Sequence, residues 1–294
     1  MAFGKEFKLY TRASFKSLGQ IMLQENVETG LYFLIGIFIG SFQMGIAAIL
    51  SVVCGLLTAI IFKFDAENIK SGLYGFSAAL VGVALMLFYK PSVIIWISIC
   101  VGSVLAALLQ HFFIKKRIAV FTLPFVLITW ALMFILNRKN IAETNDIVSN
   151  GVQYVGIERF LFGFRGIGQV VFQNKTSVGL IFFLGILKHS PIAAIYALAG
   201  ALLSGIFAFA FNVPTESIMM GLFSYNAVLC AIVFAGKRIE NIIYSILSVL
   251  LSLIIGALMY RYDLTQLTFP FVLASIITLK LKSSLIHNRE VKGI

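Results

Sequence analysis

GQIMLQENVETGLYFLIG, residues 19–36, recurs as GQVVFQNKTSVGLIFFLG at residues 168–185. The two stretches lie 168 − 19 = 149 residues apart, and the same shift carries Gly72 of SGLYGFSAALVG onto Gly221 of MGLFSYNAVLCA. A third pair, FTLPFVL around Thr122 and LTFPFVL around Thr268, has slipped by three residues, to 268 − 122 = 146. The chain is an internal duplication whose copies are built from apolar segments broken by glycine. Duplicated halves of this kind are a known arrangement of membrane permeation proteins, in which the pathway lies between the repeats.

Composition points to the same class. With 60% hydrophobic residues, 12% charged residues and a mean hydropathy of +0.99, 294 residues carry too little polar surface for a water-soluble protein. The formal charge of +11 sits mainly in short connections between apolar runs, where it orients segments in the bilayer rather than binding nucleic acid. Cys54, Cys100 and Cys230 lie in apolar stretches without metal-type spacing and read as packing residues. The first twenty residues contain Lys5, Lys8, Arg12 and Lys16 but no long apolar core, so no removable signal peptide is expected.

Apolar runs near 30–44, 45–62, 72–89, 92–113 and 120–136 predict five crossings in the first half. Runs near 178–188, 190–211, 221–236, 241–260 and 268–283 predict five more. The runs at 30–44, 72–89, 178–188 and 221–236 are short or Gly-broken at matching places, as half-helices or re-entrant segments would be. An odd number of crossings per copy requires the copies to be inverted. A cytoplasmic N-terminus then places sixteen of the 23 basic residues on the cytoplasmic side and seven opposite. The expected fold is an all-α polytopic membrane protein of two inverted five-helix repeats, ten transmembrane helices in all, with half-helices lining a central pore. Residues 1–136 form the first repeat, 137–165 a polar extracytoplasmic linker, and 166–294 the second repeat, with both termini cytoplasmic.

None of the twelve acidic residues lies at the middle of an apolar segment, and His111, His189 and His287 fall near segment ends. Proton-coupled carriers usually keep a titratable group inside the membrane. Passive movement of an uncharged solute therefore fits better than proton coupling. No metalloprotease, nucleophile-elbow, phosphate-loop or paired-carboxylate motif argues for an enzyme.

Three paired constellations carry the functional reading. Gln20 and Gln169 are each followed four residues later by Gln24 and Gln173, one helical turn on, so each pair can lie on one face. A Gln offers an acceptor and two donors without charge, and although capping is the simpler role of an isolated Gln, recurrence in both halves favours a functional one for Gln20 and Gln169. Gly72 to Ser77 with Leu80 matches Gly221 to Asn226 with Leu229. Its glycines can expose backbone carbonyls, while Phe76 with Leu80 and Tyr225 with Leu229 can form flat apolar walls or simply pack a core. Thr122-Leu123-Pro124 matches Thr268-Phe269-Pro270; a kink explains each Pro, but not the retained Thr two residues earlier.

Together, in this order, these motifs resemble the urea transporter family across both halves. GLYGFSAALVG and GLFSYNAVLCA are similar to its Gly-x-x-Gly-aromatic-Asn-x-x-Leu signature, and FTLPF and LTFPF to the end of its Leu-Pro-x-x-Thr-x-Pro-Phe signature. Ser77 stands where that signature has Asn, and the first Pro of the second signature is missing from both halves. The resemblance implies a homotrimer in the cytoplasmic (inner) membrane, in contact with lipid, with a separate urea pore in each protomer. It implies that Phe76, Leu80, Tyr225 and Leu229 form slot walls and that Thr122 and Thr268 form the constriction. It places Gln20 and Gln169 near ladders of oxygen atoms, and Leu23 and Phe172 at the outer slots. The implied activity is channel-like facilitated diffusion of urea without ATP, metal or redox cofactor. A channel for short amides, ammonia or water, or an ion-coupled carrier, is the alternative.

Overall fold

Polar caps and glycine turns, rather than the ends of apolar runs, divide this chain. The computed structural model describes residues 2–138, 141–145, 161–211 and 213–292, which are helical apart from turns and one isolated bridge. The first half holds α1 (Ala2–Gln20), α2 (Val27–Gly40), α3 (Phe42–Ile61), α4 (Ala66–Lys70), α5 (Phe76–Phe88), α6 (Val93–Lys115) and α7 (Leu123–Arg138). The second holds α8 (Phe162–Gln169), α9 (Thr176–His189), α10 (Pro191–Ala210), α11 (Thr215–Met219), α12 (Tyr225–Val233), α13 (Ile239–Arg261) and α14 (Phe269–Lys292). The order is the same in both. α1 and α8 end 149 residues apart, the next four counterpart pairs start 149 apart as far as Phe76 and Tyr225, and the last two start 146 apart from Val93 and Ile239 onward. The slip arises where α5 runs for 13 residues and α12 stops after nine.

Helices α3, α6, α10 and α13, of 20, 23, 20 and 23 residues, are long and apolar enough to cross a bilayer. The apolar helices α2, α5, α7 and α9 have only 14, 13, 16 and 14 residues. The break between the first two apolar runs falls at Ser41, not near residue 45, because the Ser41 side chain accepts from Met44 N and starts α3.

Two segments that read as flanks are helices packed on the body. α1 crosses α2 so closely that a Cβ at Gly30 would lie 1.7 Å from Phe15 O, and α8 crosses α9 with 1.8 Å between a Cβ at Gly179 and Phe164 O. Arg165, expected in the polar linker, belongs to α8 and is fully buried. Its Nε donates to Met219 O and its Nη1 to Thr176 Oγ1 at 2.7 Å, which is how a cation is tolerated there. Of that linker, residues 139–140 and 146–160 lie outside the described residues.

Residues 141–145 fold over the C-terminal end of α5. Asn145 N donates to Phe88 O at 2.9 Å, and Asn145 Nδ2 reaches the carbonyls of Met86, Leu87 and Tyr89 at 2.9–3.1 Å. These bonds satisfy carbonyls that a helix end leaves without a partner. Lys90 lies 2.9 Å from Glu143 and holds its carboxyl below the usual range, so the contact is in full effect above that range and is lost only as pH falls through the lowered value.

α2 and its counterpart α9 run antiparallel. Glu28 pairs with Lys188 at 3.0 Å at one end, and Lys175 Nζ donates to Ile39 O and Gly40 O at 3.1 and 3.3 Å at the other. Between them, Gly36 seats the Phe182 ring and Gly185 the Tyr32 side chain. Gly30→Leu and Gly179→Leu are each expected to cost about 1–3 kcal/mol or more through overpacking, read as a lower melting temperature in detergent. Gly163→Ala, where a new Cβ meets only Leu side-chain tips at 3.1 Å or beyond, is expected to be tolerated.

Candidate permeation site

The ends of α1 and α8 build the same turn. Gln24 N donates to Gly19 O at 3.0 Å and Gln173 N to Gly168 O at 3.1 Å, leaving Leu23 (φ 61°) and Phe172 (φ 58°) in the left-handed region. A non-Gly residue there is strained by about 1–3 kcal/mol, and such strain concentrates at functional sites. Gln20 Nε2 donates to Ser71 O at 3.1 Å and Gln169 Nε2 to Met220 O at 3.0 Å. These acceptors precede Gly72 (φ 79°) and Gly221 (φ 77°), whose conformation suits glycine alone. The Gln amide thus takes up a carbonyl exposed by the glycine break, and its own Oε1 makes no hydrogen bond among the described residues. Gln24 and Gln173 do not share a helical face with Gln20 and Gln169, because the helices have ended. They brace the turns through Met22 O and Val171 O at 2.9 and 3.2 Å.

Thr122 and Thr268 immediately precede α7 and α14, so Pro124 and Pro270 are second residues of helices and cause no kink. At that position the missing N–H has no intrahelical partner to lose. The Thr carbonyls accept from Val126 N and Val272 N at 3.1 Å. The hydroxyls meet each other instead of capping: Thr122 Oγ1 and Thr268 Oγ1 are 2.6 Å apart, and both residues are buried. In the second half the capping task passes to Asn226, whose Oδ1 accepts from Phe271 N at 3.1 Å while its Nδ2 donates to Leu267 O at 3.3 Å. Ser77, its counterpart, is shorter, and its hydroxyl instead approaches Gln110 Oε1 at 3.5 Å.

A cavity of about 220 Å³ is lined by Thr122 together with residues that include Gln20, Leu23, Phe76, Gln110 and Phe271. Four expected residues, Gln20, Leu23, Phe76 and Thr122, therefore face one space. Leu80 and Leu229 are fully buried one helical turn beyond Phe76 and Tyr225. On the second-half side, Phe172 packs edge-on to Phe125 and Phe88, with ring centroids 6.3 and 6.4 Å apart. Gln110, Phe271 and Phe121, the last at φ 49° and matched by Leu267 at φ 44°, escaped the sequence reading. Gln110 had left a signal, as an uncharged amide near the end of an otherwise apolar run. A separate cavity of about 690 Å³ beside Lys90, Asn137 and Glu143 holds none of the paired residues.

Long apolar helices and duplicated segments broken at glycine, around a buried and uncharged Thr pair, define an integral membrane protein. Residues 11–283 match the family model of the urea transporters, and the chain belongs to that family. It is similar to urea transporter 1 of Rattus norvegicus and of Mus musculus, 24% identical over 291 residues in each case. It is also 24% identical over 289 residues to urea transporter 1 of Capra hircus, and each of these alignments covers 90% of this chain and 75% of the relative. The resemblance carried by the paired motifs is borne out.

The halves should respond unequally at the matched pair. Asn226→Leu strips partners from Phe271 N and Leu267 O and is expected to cost about 1–3 kcal/mol, whereas Ser77→Ala removes one long contact and should cost under about 0.5 kcal/mol. Thermal unfolding in detergent measures both.

Proposed function

We propose that this protein conducts urea down its gradient through a channel-like pathway between the two halves of each protomer. The observation that carries this reading is the Thr122–Thr268 hydrogen bond, whose Thr122 lines one cavity together with Gln20, Leu23 and Phe76. Urea is flat and neutral, with one carbonyl acceptor and four N–H donors. Its polar edge needs partners once water is stripped, because an unpaired polar group costs about 1–3 kcal/mol. Gln20 Oε1 and Gln169 Oε1 supply acceptors along that edge, and Phe76, Leu80, Tyr225 and Leu229 flank the flat faces. Leu23 and Phe172 shape the two outer slots.

No solute fits between oxygens 2.6 Å apart. Passage therefore means exchanging the Thr–Thr bond for Thr–urea bonds, a trade of similar bonds that asks little net free energy. Weak successive contacts suit throughput.

The antiparallel pairing of α2 with α9 supports an inverted relation between the halves. In this reading the halves comprise ten spans, among them the long apolar helices α3, α6, α10 and α13, with both termini cytoplasmic in a bacterial inner membrane. A homotrimer surrounded by lipid, with one pathway per subunit, follows from the family resemblance.

The test is stopped-flow light scattering on proteoliposomes, with and without a proton gradient. Gradient-independent urea entry well above that of protein-free vesicles is expected. Thr122→Val and Thr268→Val should each lower it by about tenfold, the loss of one hydrogen bond of about 1.4 kcal/mol. Accumulation abolished by an uncoupler would establish a coupled carrier instead, and preferential entry of formamide or ammonia a different permeant.

A further inference from the structure

The halves differ most sharply in where each places an amide beside the pathway. Gln110, on α6, is 6% exposed and lines the same cavity as Thr122. Its Oε1 accepts from Ser77 Oγ at 3.5 Å, and its Nε2 makes no hydrogen bond among the described residues. An amide donor on a cavity wall that makes no bond within the protein is open to a solute in that cavity.

The counterpart of Gln110 at the shift of 146 is Gly256. A Cβ there would lie 3.1 Å from Gln266 Oε1, and Gln266 Nε2 donates to Gly256 O at 2.9 Å. Val120 is the first-half counterpart of Gln266. Both halves therefore bring one amide to this place, from the helix in the first and from the loop before α14 in the second. In the second half the amide nitrogen is spent on backbone, and in the first it is open.

The exchange of Asn for Ser at position 77 belongs to the same rearrangement. Asn226 holds the start of α14 through two backbone bonds, whereas the shorter Ser77 leaves its own pocket to Gln110. The departure from the family signature thus coincides with an added amide on the cavity wall.

We propose that Gln110 is a specificity-determining residue: its amide nitrogen donates to the carbonyl oxygen of the permeant while Gln20 Oε1 accepts from an N–H of the same molecule. This rests on the urea reading above. It favours planar amides bearing a carbonyl oxygen over analogues with a weaker acceptor at that position. Thiourea is the sharpest comparison, because sulfur is a weak acceptor while the N–H edge is kept.

The experiment compares urea and thiourea entry in proteoliposomes of the full chain, wild type against Gln110→Met, an apolar replacement of similar length. Gln110→Met should lower urea entry by about five- to tenfold and thiourea entry by less than about twofold, collapsing the preference, with unchanged thermal stability. Ser77→Ala, which releases Gln110 without touching the cavity's apolar walls, provides a second reading and should lower the urea-to-thiourea ratio by about twofold. Equal losses for both solutes, or an unchanged ratio in either well-folded variant, would overturn the assignment. Wild-type vesicles without urea entry would instead refute the urea reading itself.

Discussion

Everything along the proposed pathway converges on the hydrogen bond between Thr122 and Thr268. Two hydroxyls that would ordinarily cap their own helices face each other across the join between the repeats. This is possible only because each lies one residue ahead of a helix that begins with a bulky residue and then Pro. The missing N–H of Pro removes one potential capping donor. In the second half Asn226 satisfies the next one. The join at this point is thus polar without charge, built from groups able to exchange one hydrogen bond for another.

The duplication keeps this centre in register while letting bulk move between partners. A Cβ at Gly75 would lie 2.3 Å from Ser17 Oγ; at the matching place a Cβ at Gly166 would lie 2.4 Å from the Ser224 side chain. Ser51 against Gly82 becomes Gly200 against Ala231 in the same way. One partner at each crossing stays small, and which of the two helices supplies it is immaterial to the fit, because close packing fixes the combined volume rather than the individual residues. Gln110 with Val120, against Gly256 with Gln266, follows the same pattern with a polar group, and there the exchange alters chemistry as well as shape.

Much of this was legible in the chain. The repeat at residues 19–36 and 168–185 disclosed two similar halves, and the paired Gln, Gly and Thr motifs pointed to the residues that gather near the Thr pair. The missing parts have physical reasons. α1 and α8 are too polar or too short to register as apolar runs, yet they bury one face through Gly30 and Gly179, a contact invisible to hydropathy. Arg165 read as a surface cation because sequence does not reveal that Met219 O and Thr176 Oγ1 await it. Pro124 and Pro270 suggested kinks because the helix starts had not been located. Gln110 lies in a segment whose pattern is that of an ordinary span, and Phe271, though part of the LTFPF motif, had no role assigned; only the fold brings them to the cavity.

The most direct test of a pathway through the Thr pair is reversible closure at that point. The double variant Thr122→Cys/Thr268→Cys, with each single variant as control, would be reconstituted and its urea entry measured after mild oxidation and again after reduction. Loss of entry on oxidation of the double variant alone, restored by reductant, is the expected result. A cross-link confirmed by mass spectrometry that leaves urea entry unchanged would contradict the account, because the solute would then be crossing elsewhere.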